Sequence, residues 1–125
     1  MPEDVAVWER FIEKFPGYYD TCQYDVPVGS VPSFVTGDPD PSARAQEKLY
    51  RKKIDVLAYS RESDDLIELK PVCTMSTIGQ VKGYKHFYMR DYKPEREPRP
   101  VVMCGAASED VREFAHQEGV TIIVV

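Results

Sequence analysis

The segment IDVLAYSRESDDLIELK, residues 54–70, places charged side chains inside two apolar runs that a polar turn separates. Residues 49–59 and 66–72 are rich in β-branched, aromatic and aliphatic side chains, which predicts two strands. The intervening residues 61–65 are short and polar, which is typical of a hairpin turn. The segment therefore predicts an antiparallel strand pair at the centre of the fold.

Three charged side chains interrupt the apolar pattern of this hairpin. Successive side chains of a strand point to opposite faces, so Glu68 and Lys70 share one face of the second strand, and Asp55 lies between Ile54 and Val56 in the first. A buried carboxylate or ammonium is costly unless it is paired, which favours convergence of the three across the hairpin. Two facing carboxylates repel, and an oxygen-ligated Mg²⁺ or Mn²⁺ would remove that repulsion. The alternative is a structural ion pair at a sheet edge.

The chain before the hairpin predicts a helix, a strand and a loop. Residues 4–15 have the apolar periodicity of an amphipathic helix that Pro16-Gly17 ends, with a predicted buried face of Val5, Trp8, Phe11, Ile12 and Phe15. Residues 18–28 predict a strand, and Pro27 confines its end to a sheet edge or a break. Residues 29–43, rich in Pro, Gly, Ser and Asp, predict a long loop.

The chain after the hairpin alternates helices and strands. The order α-β-β-β-α-β-α-β predicts one α/β domain over residues 1–125, with a mixed central sheet flanked by helices on both faces. The predicted elements that follow the hairpin are a helix at 76–90 starting at Ser76 or Thr77, a strand at 101–104, a helix at 108–117 and a strand at 120–125.

At these residues the sequence resembles the PD-(D/E)xK nucleases. Asp55 matches the Asp of that motif, and Glu68-Leu69-Lys70 matches its E-x-K. Residues 80–84, which begin with Gln80 and end with Tyr84, resemble the Q-x-x-x-Y motif of the RecB-like and Cas4-like branch. The resemblance implies a restriction-endonuclease-like core, Mg²⁺- or Mn²⁺-dependent hydrolysis of DNA, and a catalytic set of Asp55, Glu68, Lys70, Gln80 and Tyr84.

The same resemblance implies an acid on the first helix. Glu9 and Glu13 are the alternatives, and Glu9 is preferred because it lies at the edge of the predicted apolar face. The implied metal ligands are Glu9, Asp55, Glu68 and the backbone carbonyl of Leu69. Ile54 stands where many members of the family carry a Pro before the Asp.

The charge of the chain is unevenly distributed although its sum is −5. Residues 44–99 hold 13 basic and 9 acidic side chains, whereas residues 1–43 hold 2 basic and 8 acidic. A basic middle fits a local phosphate-binding face or, equally, a solvated surface. The predicted DNA-binding residues are Arg51, Lys52, Lys53, Lys82, Lys85 and Arg90.

The cysteine pattern and the distribution of apolar residues predict the compartment in which the protein acts. Cys22, Cys73 and Cys104 are isolated and odd in number, which predicts free thiols and neither a disulfide framework nor a zinc site. No secretory signal or membrane span is predicted, so a cytoplasmic location in a bacterial or phage-infected cell is expected. The expected partner is DNA without strong sequence specificity, with the chain acting as a homodimer or as a subunit of a repair, recombination or phage complex. A catalytically silent nuclease-fold module remains the alternative.

Overall fold

Strand β2 (Lys52–Tyr59) and strand β3 (Asp64–Cys73) form the antiparallel hairpin that the sequence predicts. The structure, a computed structural model, describes residues 2–30 and 52–125. Strand β1 (Thr21–Val28) pairs antiparallel with β2 and forms one edge of the sheet, which accommodates Pro27. Apart from Gly29 and Ser30, the predicted loop lies outside the described residues.

The second half of the sheet is parallel. Strand β4 (Arg99–Ala107) pairs parallel with β3, and strand β5 (Thr121–Val124) pairs parallel with β4. Parallel neighbours require crossovers, which helices α2 (Met75–Tyr92) and α3 (Glu109–Gln117) supply. The strand order is β1-β2-β3-β4-β5, so the predicted mixed sheet is confirmed within the described residues. Strand β4 is longer than the predicted 101–104 because β3 pairs with it beyond both ends of that segment, whereas β5 pairs only with residues 101–104.

Side-chain caps set the start of both crossover helices. Thr74 accepts a hydrogen bond from the Thr77 backbone N–H at 3.3 Å, and Thr77 Oγ1 accepts one from the Thr74 N–H at 3.1 Å. This reciprocal cap starts α2 one or two residues before the predicted position. Ser108 caps α3 through the Val111 N–H, as predicted.

Helix α1 (Pro2–Lys14) packs on one face of the sheet through a different stripe from the predicted one. Val7 is 1% exposed, whereas Val5 is 49% exposed. Trp8 and Phe11 are buried as predicted, but Ile12 and Phe15 are exposed. The true buried stripe is Asp4, Val7, Trp8 and Phe11, an i, i+3, i+4, i+7 set rotated from the predicted face.

Helices α2 and α3 cover the opposite face of the sheet. Their core includes Ile78, Val81 and Ala115, packed on strand residues such as Leu57 and Leu66. Cys73 and Cys104 lie in this core as free thiols, and Cys22 is partly buried. Among the described residues, no helix is both long and apolar enough to cross a membrane.

Asp65, predicted in a turn, is instead fully buried at the start of β3. Its carboxylate accepts hydrogen bonds from Arg99 Nε at 3.1 Å and Nη2 at 2.8 Å, and from the Tyr19 hydroxyl at 2.5 Å. Ser63 Oγ donates a further bond at 3.0 Å. This network joins the hairpin to β4 and explains why a carboxylate is tolerated there.

We expect Asp65→Ala to lower the free energy of unfolding by about 2–4 kcal/mol. Breaking a fully buried ion pair costs about 3–5 kcal/mol, and the loss is smaller here because the Arg99 side chain is 40% exposed. Urea denaturation of this variant beside Asp64→Ala, whose partner Arg96 is exposed, measures the difference. A loss no larger than that of Asp64→Ala would contradict a structural role for the network.

Candidate active site

The ladder between β2 and β3 ends at the pair Val56–Ile67. In the same register the next pair would be Asp55 and Glu68. Here a side-chain carboxylate, and not a backbone carbonyl, accepts a hydrogen bond from the opposite strand. Asp55 Oδ2 accepts a hydrogen bond from the Leu69 N–H at 2.9 Å. The backbone N–H of Asp55 also favours the ionised form of the Glu68 carboxylate and so lowers its pKa. The structure thus places both acids between the two strands.

Burial raises the pKa of both carboxyl groups, and the charge of Asp55 raises that of Glu68 further. Desolvation is the largest cause of the raised pKa of Asp55, and the Leu69 N–H opposes it. Glu68 is 2% exposed, and desolvation together with the Asp55 charge raises its pKa to about 8. The positive charge of Lys70 opposes both increases. Two carboxyl groups held in this way disfavour simultaneous ionisation unless a cation is added.

Glu68 also carries an unsatisfied oxygen. Its Oε1 is fully buried and has no hydrogen-bond partner among the described residues. Buried carboxylate oxygens are normally paired, and each exception calls for an explanation such as a bound ion. This observation and the oxygen-only chemistry of Asp55 and Glu68 fit a hard divalent cation.

The acid that helix α1 brings to the site is Asp4, and the structure does not bring Glu9 there. Asp4 lies on the buried stripe of α1, and its charge raises the pKa of both Asp55 and Glu68. Glu9 and Glu13 are exposed and lie about 140° and 180° around the helix from Asp4, at about 100° per residue. The preference for Glu9 was wrong because it rested on the wrong apolar face.

Asp25 is a second acid that the sequence pattern missed. It lies on β1 opposite Asp55, between the pairs Tyr24–Val56 and Val26–Ile54. Its backbone is left-handed, with φ 53°, a conformation that Asp tolerates better than most residues. Its charge contributes to the raised pKa of Asp55. Only the strand register reveals this neighbour, because hydrophobic periodicity gives no signal for it.

Lys70 and Gln80 line one open groove beside the two acids. This groove of about 430 Å³ also contains Asp4 and the cap residues Thr74 and Thr77. Gln80 Nε2 donates a hydrogen bond to the Tyr84 hydroxyl at 2.9 Å, one helical turn away. Lys70 thus shares the groove with Gln80 and acts electrostatically on Asp55 and Glu68, and Tyr84 is connected to this group through Gln80.

Within residues 2–30 and 52–125, no three His, Cys, Asp or Glu side chains form a group that could enclose a metal ion. The site instead offers the buried carboxylate of Glu68 and the half-buried carboxylate of Asp55, and Asp4 adds its charge to theirs. Mg²⁺ commonly binds through one or two carboxylates and keeps several waters, so this limited donor set still fits it.

Two of the predicted DNA-binding lysines lie away from the groove. Lys82 pairs with Glu118 at 2.9 Å, and Lys85 pairs with Glu97 at 2.7 Å. They lie about 200° and 140° around α2 from Gln80, at about 100° per residue, and they line a separate cavity. The prediction that they flank the site was wrong because charge counts do not specify a helix face.

The other predicted basic residues differ in their surroundings. Lys52 and Arg90 both approach the ring of Phe87, at 5.9 Å and 4.9 Å from its centroid. Lys53 is exposed two residues before Asp55. Arg51 lies outside the described residues.

Comparison with known proteins identifies solved structures that have a similar fold. No protein-family model matches the chain, and no curated protein matches it either. A repair endonuclease from Pyrococcus abyssi shares the architecture, with a TM-score of 0.56 and 15% identity over 97% of this chain and 46% of that one. A protein of unknown function matches with a TM-score of 0.59 and 14% identity over 96% of this chain and 56% of that one.

The chain has a restriction-endonuclease-like fold. Over the described residues, its mixed sheet of five strands with helices on both faces agrees with the fold expected from the sequence. The chain spans about half the length of each of the two solved structures. At these identities the likeness establishes the fold alone, and the chemistry has to be argued from the site.

Proposed function

We propose that the protein is a divalent-metal-dependent nuclease that hydrolyses phosphodiester bonds of DNA. The observation that carries the proposal is the pair of half-buried Asp55 and buried Glu68, because the charge of Asp55 disfavours ionisation of Glu68 and the buried Oε1 of Glu68 has no partner among the described residues. The repair endonuclease with the same fold supports the reaction class. The RecB-like or Cas4-like branch is proposed on the Gln80–Tyr84 pair.

In this proposal Asp55, Glu68 and the Leu69 carbonyl hold Mg²⁺ or Mn²⁺, and Asp4 takes the place expected for Glu9 by acting through water. When bound, the cation supplies Lewis acidity that activates water and offsets phosphate charge. Lys70 orients or deprotonates the attacking water and stabilises charge that develops on the phosphate. Gln80 and Tyr84 position the strand that is cut.

The substrate follows from the charges around the groove. The acids and Lys70 suit a phosphodiester that a bound cation neutralises, and contacts to phosphate carry no sequence information. We therefore propose action on DNA ends, branched or single-stranded DNA without strong sequence specificity. A homodimer, or a subunit of a larger nucleic-acid-processing complex in a cytoplasmic compartment, completes the proposal.

Calorimetric titration with Mn²⁺ and Mg²⁺ tests the metal site. We expect binding by the wild type, loss of binding in Asp55→Asn, and an affinity reduced about 10-fold or more in Asp4→Asn, which is typical of residues behind the ligands. Glu9→Gln, on the same helix but exposed, is the matched control and should bind like the wild type.

A catalytically silent module that binds DNA or a partner protein is the second candidate. The lack of a three-residue metal cluster among the described residues favours it. Absence of metal binding by the wild type, unchanged in Asp55→Ala, would support the silent module. Loss of metal binding in Glu9→Gln but not in Asp4→Asn would overturn the proposed role of Asp4.

A further inference from the structure

The stripe of helix α2 that carries Gln80 continues beyond the groove. Tyr84 and Phe87 lie at i+4 and i+7 from Gln80, within about 40° of it around the helix axis. Gln80 belongs to the groove with Lys70, and Tyr84 is hydrogen-bonded to Gln80. Phe87 is therefore the next side chain on the surface that leaves the proposed active site.

Two cations from separate elements meet at Phe87. Lys52, at the start of β2, places Nζ 5.9 Å from the ring centroid, and Arg90 places its guanidinium carbon 4.9 Å from it. Both distances are within the range of cation–π attraction, which partly offsets the repulsion between the two charges. Both side chains are also solvent-accessible, since Lys52 is exposed and the Arg90 side chain is 47% exposed.

The carboxylate of Asp91 holds Arg90 in this arrangement. Asp91 Oδ1 accepts a hydrogen bond from Arg90 Nε at 2.8 Å, and Oδ2 accepts one from the Gly29 N–H at 2.8 Å. Asp91 thus fixes Arg90 and the end of β1 together and offsets one of the two positive charges. Counted over Lys52, Arg90 and Asp91, the group carries one net positive charge in a defined geometry, which suits a single phosphate.

We propose that Lys52 and Arg90, held over Phe87, form a clamp for a DNA backbone phosphate next to the active site. Seven residues of helix separate Gln80 from Phe87, about 10 Å at 1.5 Å per residue. For a duplex strand that runs along α2 with 3.4 Å of axial rise per nucleotide, the clamp lies about three nucleotides from the phosphate next to Gln80. The inference rests on the proposed function, from which it takes DNA as the ligand, and it adds the path of the bound DNA strand.

The test measures DNA binding without cleavage, by fluorescence anisotropy of a short labelled oligonucleotide with Ca²⁺ in place of Mg²⁺. Each phosphate contact contributes about 0.7–0.9 to the slope of log affinity against log salt concentration. We expect Lys52→Gln and Arg90→Gln each to remove about one contact from the slope and to weaken binding about 3- to 10-fold at low salt. Phe87→Leu, which keeps an apolar side chain, should weaken binding in the same direction.

Lys82→Gln and Lys85→Gln are matched controls on the same helix. Both lysines pair with glutamates on the far side of α2, so their variants should keep the wild-type slope. Equal losses in all four variants would show diffuse attraction and overturn the clamp, as would an unchanged slope in Lys52→Gln and Arg90→Gln.

A neutral methylphosphonate placed at successive positions of the oligonucleotide locates the contact. At about three nucleotides from the cleavage position it should weaken wild-type binding and have little further effect on Arg90→Gln. Additive effects at every position would contradict the proposal. Clamp-dependent binding by a protein that never cleaves DNA would refute only the nuclease function, whereas cleavage independent of Lys52 and Arg90 would refute only the clamp.

Discussion

Glu68→Gln should make the metal-free protein more stable at pH 8 and abolish metal-dependent cleavage. The pKa of Glu68 is raised from 4.5 to about 8, chiefly by desolvation and then by the charge of Asp55. Between these values the folded protein holds a proton that the unfolded chain has lost, so the free energy of unfolding falls as the pH rises from about 5 to 8. Gln cannot ionise, so the free energy of unfolding of Glu68→Gln should not fall in this way as the pH rises.

The size of the effect follows from the pKa difference. At about 1.4 kcal/mol per pKa unit, and allowing for the coupling with Asp55, we expect Glu68→Gln to gain about 2–4 kcal/mol at pH 8 and little at pH 4.5. Urea denaturation across this pH range measures it, with the exposed turn residue Glu62→Gln as control. Mn²⁺ should stabilise the wild type but not Glu68→Gln. A pH-independent difference, or a less stable Glu68→Gln at pH 8, would show that the carboxylate is paired by the protein itself.

Lys70→Ala should reduce cleavage about 10²- to 10⁴-fold, the contribution typical of a positioned proton-transfer group. Metal affinity should be retained, because Lys70 is a cation whose charge acts on Asp55 and Glu68 and competes with the metal. Single-turnover cleavage of a panel of labelled DNAs with Mg²⁺ or Mn²⁺, beside calorimetry, separates the two effects.

Lys82→Ala is the control for that experiment, since it removes a lysine of the same chain outside the groove. Equal cleavage by wild type and Lys70→Ala would indicate a contaminating nuclease. A parallel loss of metal binding and cleavage would assign Lys70 a structural role.

The central part of the site could be predicted because it violates a simple pattern. Strand alternation gives Asp55 and Glu68 positions that a hydrophobe would normally fill, and such exceptions are informative in a short hairpin. The order of elements then limits the sheet topology to a few arrangements. The positions of the two acids and the topology of the sheet were both predicted from local patterns, and the sequence contains these patterns in full.

The wrong predictions concern helix faces and long-range partners, which depend on tertiary packing. Helix α1 has two apolar stripes at helical spacing, one with Val5 and one with Val7, and the sheet selects the second, which brings in Asp4. Asp65 looked like a turn residue because its partner Arg99 is 34 residues away. The two sides of α2 likewise differ only after the helix is docked, which is why Lys82 and Lys85 were misplaced.

The two acids sit where a β-ladder stops, so the sheet itself fixes their spacing. In the proposed nuclease, the strands would therefore hold the groups that break the bond, and a half-buried stripe of α2 together with Lys52 would hold the DNA. Changing Lys52, Phe87 or Arg90 should alter which nucleic acids are held and leave the proposed catalytic residues in place. Such modularity offers a route for diversifying, or redesigning, a scaffold of this size.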